Sequence, residues 1–188
     1  MRHFILPWAM LVTIISGSIP SAVAEPYIGL GIGAAFYKAD LTGLGGGDLD
    51  DSNTGSKFYG GYAFNKYIAA EAGIYNFAEA SVSSFQTTPG GPISSATASM
   101  KGVGAYVVGT YPVNREFNIM AKVGLLDWDA DLRVDNTTAT NDGTDAAFAI
   151  AVSFAFTREM LATAEWEYFD SDNPQLSLIT AGFRFNFR

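Results

Sequence analysis

Six charged residues fall in segments where apolar and small side chains alternate, and each occupies a position on the side of the small ones. They are Lys57, Glu71, Lys122, Glu165, Glu167 and Arg184. Three are basic and three are acidic, so the set can be neutral as a whole. Because an unpaired charge in a protein interior is costly, we expect these side chains to form ion pairs if they share one interior.

Two of the acidic residues, Glu165 and Glu167, have a spacing that could support acid–base catalysis. Side chains two residues apart lie on the same face of a strand, and paired carboxylates can act as acid and base. The chain has no cysteine, however, and its one histidine is His3. Basic partners explain the two glutamates better than catalysis does. The sequence therefore predicts no enzyme, no catalytic residue and no cofactor.

Two aspartate-rich stretches, residues 48–53 and 142–145, faintly resemble loops that bind calcium through oxygen ligands. Neither has the complete ligand spacing of such a loop. Solvated acidic loops are the simpler interpretation, so the sequence predicts no metal site.

Extended strands must position the charged set, and residues 60–77 illustrate the pattern. Ile68 and Ile74 alternate with Glu71 and Gly73, after a short polar turn at residues 65–66. A helix turns once in about 3.6 residues and would spread these side chains around its circumference. A strand places alternate residues on opposite faces. The pattern therefore predicts a strand with one apolar face and one polar face.

The same alternation recurs in eight segments. They are residues 27–37, 56–64, 67–77, 99–111, 117–128, 146–156, 160–169 and 176–187. Long connections at 40–55, 79–98, 129–145 and 170–175 alternate with short turns at 65–66, 113–116 and 157–159. This order predicts an all-β protein, an eight-stranded antiparallel up-and-down barrel.

The direction of the apolar face separates a membrane barrel from a soluble lipocalin-type barrel. One face of the predicted strands is continuously apolar, whereas the charged residues share the other face with Gly, Ala and Ser. The polar side is therefore the inside, which predicts a transmembrane β-barrel. Lys101 falls on the apolar face, and we expect it at the rim, where it can reach the interface.

The distribution of charges and aromatic rings predicts the orientation of the barrel. Basic residues occur at the short turns, and aspartates fill the long connections. Long acidic loops therefore face the exterior and short turns the periplasm. Aromatic rings near strand ends predict two interfacial girdles. Those on the loop side are Phe36, Phe58, Phe77 and Tyr168.

The first 24 residues have the features of a signal peptide. A basic start at Arg2 and His3 precedes an apolar run, and Ala22 and Ala24 are the small residues that a signal peptidase reads. We expect cleavage after Ala24, which leaves residues 25–188 as one barrel domain. The formal net charge of −8 argues against a nucleic-acid partner.

Several segments together resemble the OmpA-type outer-membrane β-barrel family. Residues 61–67, followed by Glu71 and Gly73, resemble the hairpin of strands two and three in that family. Residues 121–124 leading to 128–131 are similar, as are residues 157–168. The resemblance covers nearly all of residues 27–187, and it lies in the order and spacing of the pieces.

The resemblance places Glu71 at the position of the family's gate glutamate. The family's basic partners align with Val108 and Thr163, so a gate here would need Lys57, Lys122 or Arg184. Two interpretations stay open: an ion-pair network that plugs the barrel, or a gate whose pairs exchange.

Many OmpA-type proteins continue into a periplasmic peptidoglycan-binding domain, and we expect none here because this sequence ends at Arg188. The resemblance implies a location in the outer membrane of a Gram-negative bacterium and a role in envelope structure and surface presentation through the acidic loops. The alternative is a narrow, gated ion pore. Expected partners are outer-membrane lipid and lipopolysaccharide, the barrel assembly machinery through the C-terminal strand, and a surface partner at the loops. We expect a monomer.

Overall fold

A computed structural model describes residues 25–39, 49–86, 93–134, 137–170 and 175–187. They form eight strands: β1 (Glu25–Ala39), β2 (Leu49–Ala63), β3 (Ile68–Gln86), β4 (Ile93–Pro112), β5 (Phe117–Val134), β6 (Thr137–Ala155), β7 (Met160–Asp170) and β8 (Gln175–Asn186). The predicted signal peptide lies outside the described residues. In the described part of the chain, no helix is long and apolar enough to cross a membrane.

Each strand pairs antiparallel with the next along the chain, and β1 pairs with β8 to close the barrel. The closing register runs from Tyr27 opposite Asn186 to Lys38 opposite Gln175. Around the apolar belt both edges of each strand are paired, whereas the loop-side ends of β3 and β6 pair only with β4 and β5. The prediction of an eight-stranded antiparallel up-and-down barrel is confirmed.

The outer face carries a continuous apolar belt. Its large side chains are between 41% and 61% exposed. They are Ile28, Leu30, Ile32, Phe58, Ile74, Val103, Val107, Val123, Leu125, Phe148, Ile150, Trp166, Ile179 and Phe183. An apolar surface this extensive is unfavourable in water and suits the acyl chains of a bilayer.

Three short turns share one hydrogen-bond pattern. Backbone N–H groups of Phe64, Val113 and Phe156 donate to the carbonyl oxygens four residues on, each at 3.0 Å. In each turn the next side chain, Asn65, Asn114 or Thr157, accepts from two backbone N–H groups. Such local bonds to Asn and Thr favour turns over strands. The first predicted turn was two residues too short, because Phe64 and Tyr67 belong to it.

The predicted long connections were too long. Strand pairing continues through residues 49–55, 79–86, 93–98, 129–134 and 137–145, most of it in β3–β4 and β5–β6. Backbone hydrogen bonding between neighbours sustains these extensions, which lie beyond the apolar belt. Outside lipid the outer face of a strand need not be apolar, so a pattern that requires an apolar outer face ends at the edge of the belt. Residues 40–48, 87–92, 135–136 and 171–174 lie outside the described residues.

The core of the protein is the barrel interior, and inward glycines leave room for inward rings. A Cβ atom added to Gly61 would overlap the Tyr27 ring, and one added to Gly29 would overlap the Tyr59 ring. Both rings are buried. An eight-stranded barrel is just wide enough for its interior to be filled by side chains.

The assignment of Phe77 to an interfacial girdle was wrong. Its side chain is fully buried inside the barrel. Phe77 shares the strand parity of Glu71 and Gly73, which places it on the inner face. Lys101, by contrast, points outward and is exposed, at the loop-side end of the apolar belt.

Candidate functional site

Four strands bring five of the six predicted charged residues to the middle of the barrel. Lys57 comes from β2, Glu71 from β3, Lys122 from β5, and Glu165 and Glu167 from β7. All five are buried. In each strand the flanking residues point to the lipid side, so strand alternation alone directs these side chains inward.

The five side chains form one continuous chain of ion pairs, called here the ion chain. Lys122 Nζ lies 2.6 Å from Glu71 Oε1 and 2.9 Å from Glu165 Oε1. Lys57 Nζ lies 2.8 Å from Glu165 Oε1 and 2.7 Å from Glu167 Oε2. Glu165 therefore joins the two lysines. Its Oε1 makes these contacts without a hydrogen bond of good angle, whereas its Oε2 accepts from Lys122 at 2.9 Å.

Tyrosines complete the partners of the ion chain. Tyr27 donates to Glu71 Oε2 at 3.0 Å, and Tyr75 donates to Glu167 Oε1 at 2.8 Å. The Tyr59 ring lies 5.4 Å from Lys57 Nζ and 5.1 Å from Lys122 Nζ. Ring and hydroxyl contacts of this kind stabilise charges that have left water.

The ion chain holds two lysines and three glutamates, a formal excess of one negative charge. Arg184 stands apart from it. The Arg184 guanidinium carbon lies 4.7 Å from the centre of the Tyr27 ring, and its Nη1 donates to Met120 Sδ at 3.7 Å. The sixth predicted residue therefore belongs to a different part of the interior.

The structure identifies Lys122 as the basic partner of Glu71. Val108, one of the two positions at which the family has a basic residue, is buried and apolar. Thr163, the other, lies on the inner face of β7, two residues before Glu165. Lys122 takes over the pairing from β5, and it is shared between two carboxylates.

An aromatic layer formed by Tyr75, Phe77, Tyr106 and Phe169 lies on the loop side of the ion chain. Ring centres are 5.6 Å apart for Phe77 and Phe169 and 6.1 Å apart for Tyr75 and Phe169. Leu126 and Leu178, both fully buried, belong to the same core cluster. These side chains fill the barrel above the charges. Sequence reasoning missed this layer, although the inward parity of Tyr75 and Phe77 was available as a signal.

A cavity of about 630 Å³ lies at the turn end of the barrel. Residues that line it include Glu25, Tyr27, Lys66, Asn118, Arg184 and Asn186. Tyr27 connects this cavity to the ion chain, because it lines the cavity and also donates to Glu71.

Among the described residues, no group of three or more His, Cys, Asp or Glu side chains could hold a metal ion. The stretch 142–145, considered as a calcium loop, lies within β6. Asp142 is exposed, whereas Asp145 accepts a 2.7 Å hydrogen bond from Trp128 Nε1. The two carboxylates are not arranged around one ion, because an odd separation along a strand puts them on opposite faces.

Comparison with solved structures shows the same fold in several outer-membrane proteins. Ail, the attachment invasion locus protein of Yersinia pestis, matches with a TM-score of 0.62 at 18% identity, covering 87% of this chain and 99% of Ail. Neisserial surface protein A matches with a TM-score of 0.62 at 14% identity, covering 86% and 97%. The N-terminal barrel of Pseudomonas aeruginosa OprF matches with a TM-score of 0.55 at 11% identity, covering 87% and 99%.

No curated protein matches the sequence significantly. The family model for the outer membrane protein beta-barrel domain matches residues 9–187. That match spans most of the chain and agrees with the closed barrel and its apolar belt. The resemblance found in the sequence is confirmed at this level, and it implies the outer membrane of a Gram-negative bacterium. The chain belongs to the outer membrane protein beta-barrel domain family.

Proposed function

We propose that this protein is a closed, non-catalytic barrel that contributes to envelope structure and presents a charged surface outside the cell. One observation carries the proposal. The middle of the interior is filled by paired charges and aromatic rings, whereas β5 continues past the apolar belt with Asp127, Asp129 and Asp131 on its outer face. A filled interior disfavours transport, and a projecting sheet favours surface contact.

The filled interior supports a structural role for the barrel. The ion chain occupies the middle, and the side chains of Phe77 and Phe169 are fully buried above it. Ion pairs that are complete and hydrogen bonded hold neighbouring strands in a fixed arrangement. Opening a path for ions would require both layers to move.

The projecting part of β4, β5 and β6 supports a role at the cell surface. On β5, Leu125 is the last apolar outward residue, and Asp127, Asp129 and Asp131 follow on the same face. From Asp127 to Val134 the strand continues for roughly 20–25 Å, at about 3.3 Å per residue. Lys101 on β4 faces Asp129, so the charged surface begins at one height on neighbouring strands.

The chemistry of this surface favours a cationic or neutral partner. Thr140 donates to Asp131 at 2.8 Å, and Thr144 donates to Asp127 at 3.0 Å, which keeps both carboxylates in place. Ail of Yersinia pestis has been solved in complex with the heparin analogue sucrose octasulfate, a polyanion. The acidic outer face here repels such a ligand. We therefore propose contact with basic surface molecules instead.

Residues 1–24 act in this proposal as an export signal that is removed after Ala24. The apolar belt contacts the acyl chains of outer-membrane lipid and lipopolysaccharide. Mass spectrometry of the purified protein checks the cleavage position, and retention of the first 24 residues would contradict it.

A gated pore is the second candidate function, and one contact favours it. Lys122 lies within 3 Å of two carboxylates, Glu71 at 2.6 Å and Glu165 at 2.9 Å, so it could exchange one for the other. The turn-end cavity already reaches Tyr27, next to this exchange point. The aromatic layer would still have to move before ions could pass.

Single cysteines test the orientation on which the surface role depends. The natural chain has no cysteine, so Asp129→Cys and Arg115→Cys each introduce one reactive group. Both positions are exposed, the first beyond the apolar belt and the second in a short turn. We expect a membrane-impermeant maleimide to label Asp129→Cys in intact cells.

Arg115→Cys is the matched control, and we expect it to react only after the outer membrane is permeabilised. Labelling of Arg115→Cys in intact cells, with Asp129→Cys protected, would show that the barrel has the opposite orientation, and it would overturn the surface role.

A further inference from the structure

Of the six charged residues that the sequence assigns to the interior, Arg184 is the one that the ion chain does not use. Its Nε is buried and has no hydrogen-bond partner among the described residues. Within the described part of the chain, its Nη1 donates to a thioether sulfur, Met120 Sδ at 3.7 Å, which is a weak acceptor. A guanidinium has five N–H donors in a planar fork, so most of its hydrogen-bonding capacity is left over.

The unused donors border the turn-end cavity. Arg184, Lys66, Asn118 and Asn186 line it, and residues of the turn that carries Lys66 form part of its rim. The ring of Tyr27 supports the guanidinium from one side at 4.7 Å. Stacking on a ring holds a guanidinium in one plane, which prepares its fork for a flat or tetrahedral oxyanion.

We propose that this cavity binds a small soluble oxyanion, a carboxylate or phosphate, that enters from the turn end and is held by Arg184. The site is independent of the proposed surface role. It does rest on the closed middle of the barrel, because the ion chain and the aromatic layer lie between the cavity and the loop end, so the ligand is bound and not carried through.

The charges of the lining favour an anion. Lys66 and Arg184 contribute two positive charges, and Glu25 contributes one negative charge, a formal excess of one positive charge. Glu71, the nearest carboxylate of the ion chain, is already bound to Lys122 and Tyr27. A cation would meet two like charges, whereas an oxyanion can accept from Arg184 and approach Lys66.

Glu25 provides a directional test, because its carboxylate lines the same cavity. A negative charge in the lining repels an incoming oxyanion whatever its own partner is. Replacing it by a neutral amide should therefore tighten oxyanion binding. If Glu25 instead helped to bind the ligand, Glu25→Gln would weaken binding.

The experiment follows the Arg184 Nε–Hε resonance by NMR, with the protein in phosphatidylcholine nanodiscs. Inorganic phosphate is titrated at low ionic strength, and chloride at equal ionic strength is the control. We expect a saturable shift with phosphate only. In the variants, the backbone amides of Asn118 and Asn186 report binding. Arg184→Gln should weaken binding by about tenfold or more, because a charge-assisted bond is lost. Arg184→Lys should bind phosphate more weakly than the natural protein and more tightly than Arg184→Gln.

Arg115→Gln is the matched control, since Arg115 is exposed in a different turn and does not line the cavity. It should bind phosphate as the natural protein does, and Glu25→Gln should bind more tightly. Lys66→Gln changes the same site without altering the barrel interior, and it should also weaken phosphate binding. This variant keeps the proposal testable if Arg184→Gln does not fold.

The proposal is overturned by the absence of saturation, by equal shifts with chloride, or by phosphate binding that survives both Arg184→Gln and Lys66→Gln. It is also overturned if phosphatidylglycerol in the nanodisc produces the same shifts and blocks phosphate, since the occupant is then a lipid head group.

Discussion

Lys122 contacts two carboxylates, and this sharing changes how much each charged residue contributes to the stability of the barrel. The ion chain holds two lysines against three glutamates, so removing Glu71 leaves equal numbers of each. Removing Lys122 leaves three carboxylates and one lysine, and Glu71 then has no basic partner in the ion chain. Loss of Glu71, by contrast, leaves Lys122 paired, because Glu165 still contacts it.

We therefore expect Lys122→Met to be far more damaging than Glu71→Gln. Loss of the lysine leaves uncompensated buried carboxylates and should lower the free energy of unfolding by about 3–5 kcal/mol. Glu71→Gln keeps the shape and an acceptor for Tyr27, so its cost should be about 1 kcal/mol. Urea unfolding in lipid vesicles, followed by tryptophan fluorescence, measures both.

The double variant Lys122→Met/Glu71→Gln provides the control, since it removes one charge of each sign. It should recover part of the stability that Lys122→Met loses. Equal losses for Glu71→Gln and Lys122→Met would mean that the two side chains act as an isolated pair.

Neighbouring glycines on β2 test the packing of the interior. Gly61 faces inward, and a Cβ there would overlap the Tyr27 ring, which is held by Glu71 and Arg184. Gly60 faces outward, where a Cβ would meet no atom closer than 3.6 Å. Gly61→Ala should therefore cost about 1–3 kcal/mol through overpacking. Gly60→Ala should change the free energy of unfolding little in the same measurement. If Gly60→Ala lost more stability than Gly61→Ala, the inner and outer faces of β2 would be assigned the wrong way round.

At the scale of the strands, each of β4, β5 and β6 has two zones, one in lipid and one outside it. Alternation predicted the lipid zone well, because one face must be apolar there and the other must fit a narrow interior. Leu125 and Phe148 mark the loop-side end of this zone on β5 and β6. Beyond them the strands are held by backbone pairing, and on β5 the alternation continues with Asp127, Asp129 and Asp131 in place of the outward apolar residues, so a search for an apolar outer face ends at Leu125. The predicted loops were therefore partly strand.

Two outward positions on β6 test the boundary between the zones. Ile150 lies in the apolar belt and is 58% exposed, whereas Thr144 lies on the same face beyond the belt, within hydrogen-bond distance of Asp127. Ile150→Arg should lower the free energy of unfolding by about 2–4 kcal/mol if it lies near the bilayer midplane. Thr144→Arg should be tolerated, since the new charge meets water and Asp127.

Folding into vesicles, read by the fluorescence of the inserted fraction, measures both variants. A large insertion defect for Thr144→Arg with none for Ile150→Arg would show that the boundary between the lipid zone and the outer zone of β6 is assigned wrongly here.

At the scale of the whole molecule, the barrel is closed in its middle and its two ends differ in charge. The turn end holds a cavity with a formal positive charge, and the loop end carries projecting acidic strands. Between them lie the ion chain and the aromatic layer. Parity along the strands was enough to select the five charges of the ion chain, whereas Asp145 was missed because residues 129–145 were predicted as a loop. The choice of partners was not predictable, because it depends on strand tilt and stagger, which bring Glu71 of β3 and Lys122 of β5 together across the barrel.

Conductance of the purified protein in a planar bilayer tests the closed interior most directly. Insertion is verified separately by the fluorescence of the inserted barrel, so that silence cannot arise from failed insertion. We predict no steady conductance for the natural protein and none for Glu71→Ala, because the aromatic layer remains in place after the charge is removed. Steady conductance of the natural protein, or brief openings that Glu71→Ala prolongs, would contradict the closed barrel and favour the gated pore.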